Sequence, residues 1–107
     1  MTLDEIIERM KSPEKIIDPR DCNLLSSYIS GFITHYEEEL NEWNFKVSIK
    51  WQTIYKETKK IAQADRELEL TDEYLEREKV KLIIAQLKRF RGDLKDRFAV
   101  LTNTKRY

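Results

Sequence analysis

Leu25, Ile29, Phe32, Tyr36, Leu40, Trp43, Val47, Trp51, Ile54, Thr58 and Ile61 follow one another at steps of three or four residues. Ten steps cover 36 residues, a mean of 3.6. That is the period of a straight α-helix; a left-handed supercoil repeats at 3.5 and a strand at 2. Ile33, Phe45, Ile49 and Tyr55 widen the stripe beyond a narrow coiled-coil seam. Composition agrees: the 107 residues include only two Gly and two Pro. Sandwiches and barrels need a turn every ~8–12 residues, and doubly wound α/β folds need glycine-rich strand-to-helix turns. Disorder is opposed by 40% hydrophobic residues, two Trp, four Phe and five Tyr among them. What remains is an all-α chain in which charged residues make up 37%.

Capping signals divide it. Thr2 followed by Glu5 fits a capping box and predicts a helix over about Leu3–Lys11, with Leu3, Ile6, Ile7 and Met10 on one face. Ser12-Pro13 marks a second start, with at most one turn over Glu14–Ile17. Asp18-Pro19 repeats that signal more strongly, with Asp21 near the positive end of the helix dipole. From there a long helix is expected over 19–68. Thr71 or Asp72 then caps a last helix over 71–101, carrying Val80, Ile83, Leu87, Phe90, Leu94 and Leu101 on its stripe, Ile84 and Phe98 beside it and Arg97 within it. No Gly or Pro marks the break near residue 70, so one continuous helix is the alternative there. The expected fold is a long antiparallel, coiled-coil-like hairpin, with residues 1–18 forming an N-terminal helix and connector. Gly31, inside the long helix, costs about 1 kcal/mol relative to Ala and points to close helix packing or a local bend.

Such a hairpin leaves apolar surface to cover. A helix of about fifty residues is ~75 Å long, and the last helix is too short to match it. Leu25, Ile29 and Phe32 therefore need the first helix or another chain. Trp43 and Trp51 fall on the same stripe and suit core or interface packing better than base stacking. A homo-oligomer is expected, with Leu25, Ile29, Phe32, Trp43 and Trp51 at the interface.

The formal net charge is zero, yet it is unevenly spread. Residues 1–45 hold ten acids against four bases, and residues 77–107 hold ten bases against three acids. Two readings compete. A turn near residue 70 sets Lys88–Arg97 opposite roughly residues 43–52, and residues 98–106 opposite the acids of 34–42, so that the charges neutralise each other across the seam. Alternatively Lys88, Arg89, Arg91 and Lys95 form a phosphate-binding surface, in which Lys88, Arg91 and Lys95 share one helical face and Lys105 and Arg106 add charge.

Signals for catalysis are sparse. His35 lies near Glu38, Glu39 and Glu42, but the Glu-x-x-His order of carboxylate-bridged metal bundles is absent and there is no second His. Phosphate-cradling glycine motifs and Cys-x-x-Cys are also absent. A non-enzyme without metal or cofactor is expected. Lone Cys22 excludes an internal disulfide, and no cationic stretch and apolar run open the chain as in a signal peptide. No window of 18 uncharged apolar residues occurs, so a cytoplasmic protein without a membrane role is expected.

The layout is the acidic start TLDEIIERM, a Pro-marked connector, a long aromatic-containing helix, a polar break and the closing LIIAQLKRFRGDLKDRFAVLTN. It resembles the small helical proteins that bacteriophages encode beside replication and recombination genes, in particular the recombination mediators of the T-even type. The nearest thing to a motif is Leu87-Lys88-Arg89-Phe90-Arg91-Gly92-Asp93-Leu94, followed by Arg97 and Phe98. The resemblance implies a homo-oligomeric accessory protein, in the cytoplasm of the infected cell. It would bind single-stranded DNA and a partner protein, a recombinase or other replication protein, without catalysis of its own. The rival expectation is a protein-binding helical module, a virion or scaffold component or an inhibitor of a host protein, that docks through Glu37, Glu38, Glu39 and Glu42.

Overall fold

The computed structural model describes residues 1–102 and contains only helices among them. Helix α1 spans Leu3–Met10, a 3-10 turn Pro13–Lys15, α2 Pro19–Thr58, α3 Ile61–Leu68 and α4 Asp72–Thr102. The all-α hairpin with a short N-terminal helix is what forms. The capping oxygens of Thr2, Asp18 and Thr71 act as read, whereas Ser12 makes no side-chain cap bond ahead of the 3-10 turn and the Glu5 carboxylate meets the Thr2 hydroxyl rather than a backbone N–H. Thr2 Oγ1 accepts the Glu5 N–H at 3.2 Å, and the same hydroxyl lies 3.2 Å from the Glu5 carboxylate. Asp18 Oδ1 accepts the Arg20 N–H at 2.9 Å at the start of α2. At the start of α4, Thr71 Oγ1 accepts the Tyr74 N–H at 3.3 Å.

One boundary departs from expectation. The helix expected over 19–68 ends at Thr58, and α3 begins two residues beyond Lys59. Lys59 sits at φ 57, the left-handed conformation that closes many helices, and its N–H donates to Tyr55 O at 2.8 Å. The chain reverses here rather than near residue 70, so α3 and α4 together form the return leg. In consequence Ile61, placed on the stripe by its spacing, is 62% exposed. The pairing register moves too. Trp51 Nε1 donates to Asp65 Oδ1 at 2.8 Å, Arg91 Nη1 to Ser30 Oγ at 3.5 Å, and Arg97 Nε to Ile16 O at 2.8 Å. Lys88–Arg97 therefore do not lie opposite residues 43–52, and the neutralising arrangement loses its geometric basis.

The chain forms two compact units. The first comprises residues 1–35 and 85 onward, hence α1, the 3-10 turn, the first part of α2 and the last part of α4. Its core joins Ile6, Met10 and Ile16 to Cys22, Leu25, Ile29 and Ile33 of α2 and Leu87, Phe90 and Leu94 of α4. Burying a Leu or Ile fully contributes about 1.5–3 kcal/mol. Leu25 and Ile29, expected at an oligomer interface, are 1% and 0% exposed within one chain. The correction has a simple cause: with the reversal at Lys59, the return leg reaches the start of α2 and α1 folds in beside it. Phe32 is half-buried in this unit.

The second unit comprises residues 36–84, and its buried side chains are Val47, Ile54, Ala64, Val80 and Ile84. Trp43 and Trp51 are half-buried here. Trp51 stacks on Tyr55 with ring centroids 5.1 Å apart, and Lys46 Nζ lies 4.4 Å from the centre of the Trp43 ring. Phe45 and Ile49, expected to widen the apolar stripe, are 68% and 48% exposed. No described helix is long and apolar enough to cross a membrane.

Candidate nucleic-acid interface

Packing of α4 in the first unit decides where its cations point. Leu87, Phe90 and Leu94 are buried, which fixes the rotation of the helix. Lys88, Arg91 and Lys95, at steps of three and four, then emerge together along one flank. The facing flank of α2 presents Asn23, Ser26 and Ser30, also at steps of three and four, beside the buried Cys22, Leu25 and Ile29. Between the two flanks runs a groove of about 430 Å³. Lys88, Arg91 and Lys95 line one side and Asn23 and Ser26 the other; Leu94 and Phe98 give it an apolar floor. Gly92 also lines it, and a Cβ there would meet open space.

The electrostatics of the groove are one-sided. The ion pairs among the described residues are Glu8–Lys11, Asp18–Arg20, Arg77–Glu78, Glu76–Lys79 and Glu78–Lys81, each between near neighbours in sequence. None involves Lys88, Arg89, Arg91 or Lys95. Among the described residues Arg91 reaches the Ser30 hydroxyl, at 3.5 Å, a contact with no opposing charge. Three cations thus share a groove whose other polar lining is neutral. Lys88 and Lys95 are separated by seven residues, about 10 Å of helix rise. That is about the length of three stacked nucleotides along one strand.

The expected cations separate by position. Arg89 is exposed but turns about 100° away from Lys88 around the helix and does not line the groove. Lys105 and Arg106 lie outside the described residues. Arg97, the charged residue on the apolar stripe, is half-buried and directed inward. Its Nε donates to Ile16 O at 2.8 Å and its Nη2 to Glu14 O at 2.9 Å, so it ties the 3-10 turn to α4. Sequence reading missed the α2 side of the groove and Phe98. The available signal was the Asn23, Ser26, Ser30 spacing beside the apolar stripe, and it becomes usable only once the register is known.

Cys22 is buried in the core of this unit, and desolvation pushes its thiol pKa up, away from the reactive thiolate. Taken together, fold and site define an all-α hairpin protein with an open basic groove. Comparison with protein-family models, curated proteins and solved structures gives no match.

Proposed function

We propose that this protein is a non-catalytic accessory factor that binds single-stranded DNA through the groove between α2 and α4 of the first unit. Lys88, Arg91 and Lys95 contact phosphates, and the Ser26 hydroxyl and Asn23 amide supply neutral hydrogen bonds to the same backbone. Arg89 raises the local positive charge without lining the groove, and Lys105 and Arg106, outside the described residues, belong to the same proposed set of cations. The observation that carries this reading is the alignment of three cations, without a carboxylate partner among the described residues, along one groove. Cations so placed have little structural work to do, and each phosphate they neutralise releases counterions. The setting that fits is phage-type DNA recombination or replication, with a recombinase or other replication protein as partner.

One protomer offers about three such contacts, so its binding is weak and gains from multivalency in a homo-oligomer. Contacts to the backbone carry little sequence preference. A salt titration of single-stranded DNA binding tests the reading. For three neutralised phosphates the slope of log K against log salt is about −2 per protomer. Replacing Lys88, Arg91 and Lys95 together by Gln flattens that slope and weakens binding while the helix content stays unchanged. DNA affinity untouched by the triple substitution removes the site. Wild-type protein that binds no DNA at ~50 mM salt, where electrostatic contacts are strong, removes the function.

A further inference from the structure

The groove of the first unit has an aromatic end that phosphate contacts leave unused. Lys88, Arg91, Lys95 and Phe98 follow one another at steps of three, four and three, so the ring continues the row of cations along the same flank of α4. Phe98 also belongs to the apolar stripe, four residues beyond Leu94. The stripe before it is buried: Leu87 is 1%, Phe90 8% and Leu94 0% exposed. Phe98 is half-buried and lines the groove beside Leu94. Among the described residues its ring therefore lacks the full cover that its neighbours on the stripe receive.

The bond from Arg91 to Ser30 sets what stands opposite the ring. The two helices run antiparallel here, so a step forward along α4 matches a step back along α2: Lys95 faces Ser26 and Phe98 faces Asn23. The wall opposite the ring is thus neutral and polar. The groove's volume of about 430 Å³ falls within the ~300–1,000 Å³ of sites that take small organic groups. Lys95 and Phe98 are separated by about 4.5 Å of helix rise, so a phosphate on Lys95 and a base on Phe98 belong to one nucleotide or to adjacent ones. A partly open ring at the end of a row of cations suits a ligand that carries negative charge and flat π-faces together, as a single strand does. We propose that an unpaired nucleobase stacks on Phe98, while Ser26 and Asn23 hold the sugar-phosphate backbone at the opposite wall. The proposal rests on the reading of the groove as a single-strand site and adds to it the contact that excludes duplex. In a duplex each base is stacked between its neighbours, and offering its face to Phe98 requires extruding it. Stacking tolerates any base, because every base has a π-face, so the low sequence preference is kept.

Fluorescence anisotropy with the full chain tests it, comparing a labelled oligothymidylate with an abasic strand of the same length and hence the same phosphates. Wild type binds oligothymidylate tighter than the abasic strand by roughly tenfold or more. Phe98→Leu keeps an apolar side chain at the position, so helix content stays unchanged. Its affinity for oligothymidylate falls to that for the abasic strand, while its affinity for duplex does not move. The slope of log K against log salt also stays that of wild type, because the cations are untouched. Phe98→Trp restores the preference, since an indole offers a π-face as well. The triple substitution of Lys88, Arg91 and Lys95 instead weakens both strands alike. Wild type that binds the two strands equally overturns the base contact and leaves the phosphate contacts standing, and so does an oligothymidylate affinity indifferent to Phe98→Leu. Wild type that binds neither strand at ~50 mM salt removes the groove as a nucleic-acid site and the base contact with it.

Discussion

Arg97 shows how a residue that looks misplaced in a pattern can carry a structural role. It occupies an apolar-stripe position, yet its guanidinium spans the carbonyls of Glu14 and Ile16. A charged donor on a carbonyl is worth about 1.5–3 kcal/mol, and the planar fork reaches two acceptors at once. Arg97→Leu suits the stripe but leaves both carbonyls without this donor, so urea unfolding should show a loss of about 1–3 kcal/mol. Arg97→Lys keeps the charge and loses the fork, and should fall between the two. Asp18 supplies a pH-dependent counterpart. Its hydrogen bonds from the Arg20 side chain, then from the Arg20 backbone N–H, hold its carboxyl below the usual carboxylate range. A depressed folded pKa means that Asp18 stabilises the fold above the ordinary carboxyl value of about 4. That contribution is lost as pH falls through the lower folded value. Asp18→Asn should therefore lower the neutral plateau of a stability–pH curve and flatten its acid limb below about pH 4, so that the variant and wild type converge in acid.

At the scale of elements, the two long stripes were legible because burial follows period: Val47, Ile54, Val80, Leu87 and Leu94 are buried where 3.6-residue spacing places them. The starts of α1, α2 and α4 were legible because Thr2, Asp18 and Thr71 have side-chain oxygens that accept free N–H groups. The reversal at residue 59 was not, and the reason is chemical. Turns that need positive φ normally announce themselves with Gly or Asn, and this one is made by a lysine. Missing it misplaced Ile61, shifted the register of the return leg and hid the α2 side of the groove. Lys59 adopts a left-handed conformation that costs an L-residue about 1–2 kcal/mol and glycine very little. Lys59→Gly should raise stability by about 0.5–1 kcal/mol, and Lys59→Val should lower it, because a β-branched residue tolerates positive φ worst. Thermal unfolding followed by circular dichroism reads both signs. A destabilising Lys59→Gly would show that the lysine side chain contributes more than its backbone costs.

At the scale of the whole molecule, core is unequally shared. The largest fully buried side chains, Ile6, Cys22, Leu25, Ile29, Leu87 and Leu94, all belong to the first unit. The second unit has smaller or less completely buried residues, with Ile54 9% and Ile84 7% exposed, and it presents Phe45, Ile61, Leu70 and Leu82 to solvent. Local opening free energy follows buried apolar contact, so the two units should not open together. The first unit also carries the basic groove, which needs α2 and α4 held in register for Lys88, Arg91 and Lys95 to stay aligned with Asn23 and Ser26. Stability placed there serves pre-organisation of the site. Helix α2 runs without a break through residues of both units, so it provides an internal comparison. Native-state hydrogen exchange should show amides of residues 22–33 exchanging through larger openings than amides of residues 40–56 of the same helix. In an isolated helix only the ends would exchange faster, and the gradient would be symmetric about its middle. Leu25→Ala should lower protection at 22–33 by about 2–5 kcal/mol while protection at 40–56 moves much less. Equal protection along the whole of α2, lost to the same extent on that substitution, would mean that one cooperative core holds the helix from end to end.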